Sequence, residues 1–501
     1  MTPETAPITR DVNKLTKKNM KARLSFLVFA TLLLFSCNGN GSFVPARESI
    51  DKAVANGEFS EASKLIKLYL LKDSLGIDER FELGFKLEQM DRIRLDFNKE
   101  DTAVISYVKK HYPGVTEEQI NGWIKSNALE NMVIDGKQLF FARAARNLFR
   151  IDSTALANFD IAEAREPDSL ARLLSKHVPE LVNEAKKSKK VLALPKKMRI
   201  TYSIEVKPDV IPDGEMLRVW LPYPRRDKNS QTDIKLLSTS QSDYIISPDS
   251  YLHSSLYMEQ RTKKGEPTKF QLEYEYTSNG QFVNFDPQSV QPYKKDSELF
   301  KSYTSERAPQ IQFSDNIKAA VKEAVGDETN PYLKARRIYE WIDQRIPWAS
   351  AREYSTMDNI PEYVLANKHG DCGMVSLLFI TMARCAGIPA KWQSGWMMHP
   401  GNENLHDWAG AYFEGVGWVP VDQSFGRVKS AKGDDDAFYF YTRGLDSYRL
   451  IVNDDFSADF YPAKIHYRSE NIDFQRGEVE WRGGNLYFNK WKYNMKIEYL
   501  N

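Results

Sequence analysis

The chain has 501 residues, enough for roughly two to four domains, and 42% of them are apolar, as in an ordinary globular protein. Its formal net charge is only +1, so the charge balance gives no support to a nucleic-acid partner or another strongly anionic one. Aromatic residues make up 12% of the chain, a content found both in β-rich domains and in clefts that bind sugars or peptides.

The N-terminal segment has the anatomy of an export signal. Lys21 and Arg23 precede an apolar run at 24–36 that is too short for a permanent membrane helix. The run ends at Leu34-Phe35-Ser36-Cys37, and a flexible polar tether follows. This arrangement resembles a bacterial lipoprotein signal, in which the chain is cut before the cysteine and the cysteine is then lipidated.

We therefore expect residues 1–37 to hold a lipoprotein signal, with translation starting at Met20 and with Cys37 as the lipidated residue. The alternative is an uncleaved anchor in which Cys37 is incidental. A lipid on Cys37 would hold the protein in the bacterial cell envelope. The tether after it carries no acidic cluster, which favours the outer membrane facing the periplasm over the cell surface.

Two regions precede the part of the chain that carries chemistry. Apolar residues at helical spacing predict an all-helical domain over 43–195, with one of its helices at Lys137–Arg150. Alternating residues from Arg199 onward, and further strand-like stretches, predict an antiparallel β-sandwich over 197–296. Neither region has a polar cluster that suggests catalysis.

The remaining chain predicts a mixed domain over 300–450 and a β extension over 451–501 that packs on it. Within the mixed domain, Met374 to Ala386 has helical spacing, and Gly387 is a natural end for that helix. Cys372 therefore lies at or just before a helix N-terminus, where unpaired N–H groups and the helix dipole favour a thiolate. We interpret Cys372 as a nucleophile.

A cysteine nucleophile needs a base, and the base needs an orienting group. His406 and Asp422 flank a Glu-Gly-Val-Gly turn that predicts a β-hairpin. If the turn centres near Glu414, the two residues face each other across the hairpin, and Asp422 can accept a hydrogen bond from the imidazole. A bulge at Gly415 or Gly417 would instead move Asp422 to the other face.

These motifs resemble the transglutaminase-like superfamily of papain-like cysteine enzymes. The matching segments are Gly370-Asp371-Cys372-Gly373, Ala386-Gly387-Ile388-Pro389-Ala390, His406-Asp407-Trp408, and Gly417-Trp418-Val419 with Asp422. The resemblance implies an α+β fold: a papain/transglutaminase-like core preceded by an antiparallel β-sandwich and an N-terminal all-helical domain. Two positions depart from the family pattern, Lys391 and the Asp422-Gln423-Ser424 segment, and neither changes the proposed triad.

The resemblance also implies roles. Cys372 would be the nucleophile, His406 the base and later the acid, and Asp422 the group that orients His406. The substrate would be a peptide or protein amide that forms a thioester, with hydrolysis slightly favoured over transamidation. Trp348 is a candidate helper of the oxyanion hole. The alternative is a catalytically silent member that binds a peptide or glycan in the same cleft.

No cofactor is expected from the sequence, and no metal. His369 and Cys372 could join His399 or His406 in a zinc site, but their spacing matches no familiar zinc pattern. The predicted partners are thus an amide substrate and a membrane reached through the N-terminal lipid, without nucleic acid.

Overall fold

The computed structural model describes residues 45–159 and 169–500. The predicted signal and Cys37 lie outside these described residues. The helices are α1 (Arg47–Ala55), α2 (Phe59–Tyr69), α3 (Ile77–Asp96), α4 (Asp101–His111), α5 (Glu117–Lys125), α6 (Ala144–Ile151), α7 (Ser153–Ala157), α8 (Ser169–Ser188), α9 (Glu298–Thr304), α10 (Asp315–Val325), α11 (Pro331–Arg345), α12 (Ile360–Asn367), α13 (Cys372–Cys385) and α14 (Asp435–Phe438).

The strands that form sheets follow the same chain order. They are β1 (Phe97–Lys99), β2 (Asn131–Ile134), β3 (Lys137–Phe141), β4 (Leu192–Val206), β5 (Met216–Pro222), β6 (Gln231–Thr239), β7 (Tyr244–Ile246), β8 (Ser255–Arg261), β9 (Thr268–Phe282), β10 (Ala390–Met397), β11 (Asn404–Phe413), β12 (Gly417–Val421), β13 (Gly444–Leu445), β14 (Arg449–Asn453), β15 (Glu478–Trp481), β16 (Gly484–Asn485) and β17 (Trp491–Leu500). Helices and antiparallel sheets are thus mixed, which confirms the α+β class.

The N-terminal region is mainly helical but not all-helical. Strands β1, β3 and β2 form a three-stranded sheet, and β2 and β3 are joined by Asp135 and Gly136, both with positive φ. The helix predicted over Lys137–Arg150 is therefore wrong in its first half, where β3 lies. A two-residue turn of this kind specifies a hairpin, and Asp135-Gly136 was the sequence signal for it.

Helix α8 belongs to a different core from α1–α7. Its buried residues Leu174, Val178, Leu181 and Val182 pack in the same hydrophobic cluster as α13. The region predicted as one helical domain over 43–195 thus supplies its last helix to the packing around the candidate site.

The sandwich contains more of the chain than expected. Strand β17 pairs with β4 along its whole length, from Trp491 opposite Val206 to Leu500 opposite Lys197, and β15 pairs with β5. The prediction that 451–501 packs on the mixed core as an extension is therefore corrected, because these strands complete the two sheets of the sandwich.

The mixed domain is built on helix α13 and a four-stranded antiparallel sheet in the order β12, β11, β10, β14. Residues from Gly373 to Arg384 of α13 are all buried, because helices and sheet surround it. The odd-numbered residues Ala409 and Ala411 of β11 and Val419 and Val421 of β12 share its cluster. Small side chains on that face let the helix approach the sheet closely.

Candidate active site

Cys372 is the first residue of α13, as the sequence predicted. The side chain of Asp371 caps the helix by accepting a hydrogen bond from the Met374 N–H at 3.2 Å. Asp371 also accepts from the Tyr354 hydroxyl at 2.7 Å. Burial raises the pKa of Asp371 to about 6, although both of these hydrogen bonds lower it.

The residue after the cysteine, Gly373, is required to be small by its surroundings. A Cβ at this position would run into the Tyr354 hydroxyl and the Asp407 carboxyl group. The Asp-Cys-Gly sequence therefore brings a helix cap, a thiol and a close backbone approach together within one turn.

The thiol of Cys372 is half-buried, and Asp407 is its hydrogen-bond partner. The Sγ donates to Oδ2 of Asp407 at 3.4 Å. Burial raises the pKa of Cys372 well above its ordinary value, and the charges of Asp407 and Asp371 raise it further. The thiol is therefore held in its protonated form in this arrangement.

Sequence reasoning missed the part played by Asp407. Its Oδ1 accepts from the Gln475 amide at 2.6 Å, and burial, followed by the charge of Asp473, raises its pKa well above the ordinary value. Gln475 and Asp473 come from the segment between β14 and β15, far along the chain. No local pattern around Cys372 could have indicated them.

His406 and Asp422 make the contact that the sequence predicted. The imidazole Nε2 lies 2.7 Å from Oδ2 of Asp422, and both side chains are buried. An ionised carboxylate only accepts hydrogen bonds, so Nε2 carries the proton and Nδ1 is the ring atom left to act on a thiol.

The register that produces this contact differs from the prediction. Tyr412 pairs with Trp418, and Ala409 pairs with Val421, so the hairpin centres on Gly415 instead of Glu414. Continued by one residue, this register carries Asp422 opposite Trp408, diagonal to His406 on the same face. Diagonal neighbours remain within reach of long side chains, so the hydrogen bond forms although the two residues are not directly opposed.

Asp422 has a second partner that the sequence analysis also missed. The Nη1 of Arg449 donates to its Oδ2 at 2.7 Å, and Nη2 donates to Asp446 at 2.6 Å. Burial raises the pKa of Asp422, but His406 and Arg449 outweigh it and hold that pKa below its ordinary value. Asp422 therefore stays ionised.

The pKa of His406 is lowered. Burial is the main cause; Asp422 opposes it, and the charge of Arg449 lowers the pKa further. The ring is thus neutral near neutral pH, the form that can accept a proton. At the far end of this network, His399 Nε2 lies 2.9 Å from Oδ1 of Asp446.

Two cavities meet at Cys372. The larger, ≈ 450 Å³, is lined by both Cys372 and His406. The smaller, ≈ 190 Å³, is lined by Cys372 together with charged groups that include Asp407 and Arg476. The structure thus brings the predicted nucleophile and base to one cavity, with the thiol hydrogen-bonded to Asp407.

Trp348 lies where both cavities open. It lines each of them next to Cys372 and is 44% exposed. Its backbone bridges to Gly370, and the Arg150 guanidinium stacks over its ring at 4.5 Å. Its position beside the thiol is compatible with the predicted helper role, which stays a prediction.

A comparison with known families identifies the region that holds these residues. Residues 318–423 match the family model Transglut_core, described as the transglutaminase-like superfamily. Residues 318–423 form a transglutaminase-like domain. This confirms the resemblance stated above for the core, and Cys372, His406 and Asp422 all lie within the matched range.

Two curated relatives match the chain. An uncharacterized protein of Haemophilus influenzae is 23% identical over 251 residues, covering 43% of this chain and 66% of its own length. The uncharacterized protein YebA of Bacillus subtilis is 23% identical over 185 residues, covering 32% of this chain and 24% of its own. The chain thus spans just under two thirds of the first relative and about a quarter of the second.

Two solved structures are similar to parts of this chain. One, from Cytophaga hutchinsonii, is named a "Putative Cysteine Protease"; it is 14% identical, with a TM-score of 0.40, and the match covers 62% of this chain and 92% of that one. The other is the periplasmic domain of TgpA from Pseudomonas aeruginosa, 13% identical with a TM-score of 0.26, covering 55% and 96%.

Proposed function

We propose that this protein is a cysteine enzyme of the bacterial cell envelope that acts on amide bonds through a thioester. The observation that carries the proposal is one cavity lined by a helix-terminal thiol, Cys372, and by His406, whose Nε2 is fixed by Asp422. A neutral imidazole that is oriented by a carboxylate is what a thiol–imidazole acyl transfer requires.

The first half of the reaction forms the thioester. The thiol proton passes from Sγ to Nδ1 of His406, and Sγ attacks the amide carbonyl carbon. The free N–H of Cys372 at the start of α13 donates to the developing oxyanion, with Trp348 as the proposed second donor. His406 then returns the proton to the amide nitrogen as the C–N bond breaks and the amine leaves.

The second half releases the acyl group. Water or an amine loses a proton to His406 and attacks the thioester carbonyl, the C–S bond breaks, and the proton returns to Sγ. Water gives hydrolysis and an amine gives transamidation. We propose hydrolysis as the main outcome, because an exported enzyme meets peptide and peptidoglycan-linked amides but few predictable glutamine–lysine pairs.

Incubation of the purified protein with a glutamine peptide, with and without a labelled amine, tests this proposal. Hydrolysis gives the free acid in both samples, whereas transamidation gives a labelled peptide only when the amine is present. The matched controls are Cys372→Ala, which removes the nucleophile, and Cys385→Ala, which changes the thiol at the other end of the same helix. Equal product from the Cys372→Ala variant and the unmodified protein would rule the proposal out.

One observation favours a second function. The Cys372 thiol is hydrogen-bonded to Asp407, and its pKa is raised well above the ordinary value. A protein that only holds a peptide or glycan in this cleft would tolerate an inert thiol. In that case calorimetry would show that the unmodified protein and the Cys372→Ala variant bind a peptide equally tightly. Neither protein would form a product from it.

The location is a separate proposal. We propose that Cys37 is lipidated and anchors the protein in the outer membrane facing the periplasm, on the strength of the signal sequence. No helix in 45–159 or 169–500 has the length and apolarity to span a bilayer. Membrane fractionation of cells that express the protein or its Cys37→Ala variant tests the anchor. If Cys37 carries a lipid, the protein with Cys37 sediments with membranes and the Cys37→Ala variant does not. Equal sedimentation of the two proteins would contradict the proposed anchor.

A further inference from the structure

Helix α8 contributes to the wall of the candidate active site. Leu170, Ala171 and Leu174 line the ≈ 450 Å³ cavity that also holds Cys372 and His406. The helix lies outside the matched 318–423 range, in a region that showed no chemistry in the sequence. Its first two turns nevertheless lie beside the proposed nucleophile.

The rest of this cavity is mostly apolar. Its further apolar and aromatic walls are formed by Trp348, Met397, Leu405, Phe425, Val428 and Tyr441. Its charged walls are Arg427 and Lys429, both basic, and no carboxylate is among the described residues that line it. Arg427 is already paired with Asp343 at 2.7 Å, whereas Lys429 is exposed and has no ion pair within the described chain.

The cavity on the other side of the thiol is more polar. Its walls include five carboxyl groups and two guanidinium groups, namely Glu353, Asp371, Asp407, Glu470, Asp473, Arg352 and Arg476. Cys372 therefore lies at a boundary between a mostly apolar space without carboxylates and a polar space in which carboxyl groups outnumber basic ones. An apolar side chain is stabilised when it leaves water for the first space. A basic side chain would be repelled there by Lys429.

We propose that the larger cavity binds the acyl side of the substrate, as an apolar side chain of leucine, methionine or phenylalanine size next to the reactive carbonyl. Helix α8 sets this preference through Leu170, Ala171 and Leu174. The volume falls within the range of about 300–1,000 Å³ typical of sites for small ligands. This inference rests on the proposed function, because it assigns a specificity to the same thiol.

Chloromethyl ketones of acetyl-leucine and acetyl-lysine test it, since each alkylates Sγ with loss of chloride after the side chain has bound. Alkylation of Cys372 is followed by peptide mass spectrometry, with iodoacetamide as a reagent that carries no side chain. The expected result is that the leucine reagent reacts at least ~10-fold faster than the lysine reagent, as apolar pockets discriminate. Equal rates, or a faster lysine reagent, would overturn the inference.

Two variants and a control locate the preference. Ala171→Trp fills the cavity and should lower the ratio of leucine-reagent rate to iodoacetamide rate by ~10-fold. Lys429→Glu should make the lysine reagent react faster and so reduce the difference between the alkylation rates of the two ketones. Lys176→Trp places the same bulk at an exposed position of α8 and should change neither ratio.

The outcomes separate the two proposals. If iodoacetamide modifies Cys372 and His406→Ala slows that reaction, the proposed function stands. If Ala171→Trp then leaves the leucine ratio unchanged, α8 does not form the acyl site and this inference alone fails. If Cys372 reacts with none of the reagents, both fail together.

Discussion

The Sγ of Cys372 lies 3.4 Å from Oδ2 of Asp407 and donates its hydrogen bond to that carboxyl group. Asp407 is the neighbour of His406 in the chain, but its side chain points to the opposite face of β11. The strand thus presents an imidazole to one side and a carboxyl group to the other. In the proposed reaction, the thiol hydrogen must turn from Asp407 to His406 before the proton is transferred.

Replacing Asp407 with Asn should make the thiol more reactive. The charge of Asp407 raises the pKa of Cys372, so its removal lowers that pKa and enlarges the fraction of the reactive thiolate near neutral pH. We expect iodoacetamide to alkylate Cys372 faster at pH 7 in the variant than in the unmodified protein. A slower reaction in Asp407→Asn would show that Asp407 assists the thiol.

Replacing His406 with Ala should slow the alkylation of Cys372 by iodoacetamide. It should also remove the part of the pH–rate profile that comes from titration of the imidazole. General-base catalysis is worth about 10²–10⁴-fold. Because the pKa of His406 is lowered, its neutral form persists below the ordinary value of about 6.5, and the acid limb of the rate profile should lie below that pH. His466→Ala, a half-buried histidine of the sandwich region, is the matched control and should leave the profile unchanged.

Arg449 should matter for stability because it is buried between two carboxylates. Removing one partner of a buried ion pair costs about 3–5 kcal/mol, and Arg449→Met would leave both Asp422 and Asp446 without their donor. Arg449→Lys keeps the charge and should cost less. Urea unfolding of the two variants measures the difference, and equal free energies of unfolding would show that the charge at this position contributes nothing.

The carboxyl groups beside the thiol predict how stability depends on pH. Burial raises the pKa of Asp371 and that of Asp473 to about 6, so the folded state binds protons more tightly than the unfolded chain. Their stabilising contribution is complete below the unfolded value of 3.8 and is lost as the pH rises through about 6. The midpoint temperature of thermal unfolding should therefore fall as the pH rises from 4 to 7, and Asp473→Asn should make that fall smaller.

Gly373→Ala should destabilise the protein, although alanine normally stabilises a helix by about 1 kcal/mol relative to glycine. The added methyl group would run into the Tyr354 hydroxyl and the Asp407 carboxyl. Tyr354→Phe removes one of these obstacles, so the double variant should recover part of the lost stability. A Gly373→Ala protein as stable as the unmodified chain would show that the close approach is not required.

Local signals were enough to place Cys372 at the start of a helix. An apolar run bounded by Asp371 and Gly387 specified helix α13, and its first residue is Cys372. The cap forms between side chain and backbone within one turn, so no distant residue is needed to predict it. The same is true of the alternation in β11 and β12, which put His406 and Asp422 on one face.

The hairpin register needed more than the sequence. Gly415 and Gly417 both adopt positive φ, and either could take the bend of the turn. The choice moves the partner of His406 by two residues without changing its face. The hydrogen bond was therefore predictable, whereas the directly opposed arrangement was not.

Contacts between distant segments lay beyond sequence reasoning. Arg449 reaches Asp422 because β14 joins the sheet beside β10, and Gln475 reaches Asp407 from the segment that leads to β15. The C-terminal strands likewise pair with strands almost three hundred positions earlier, such as β17 with β4. No spacing within one segment encodes such pairings, because they depend on the packing of the whole chain.

The two thiols of helix α13 can be compared in one sample, since Cys372 and Cys385 are both half-buried and only Cys372 lines a cavity with His406. The measurement is the rate of iodoacetamide labelling of each thiol between pH 5 and 9, by mass spectrometry, in the unmodified protein and in His406→Ala. We expect faster labelling of Cys372 than of Cys385 near pH 7, and loss of that difference in the variant. Labelling of Cys372 that is slower than that of Cys385 and insensitive to His406→Ala would contradict this expectation.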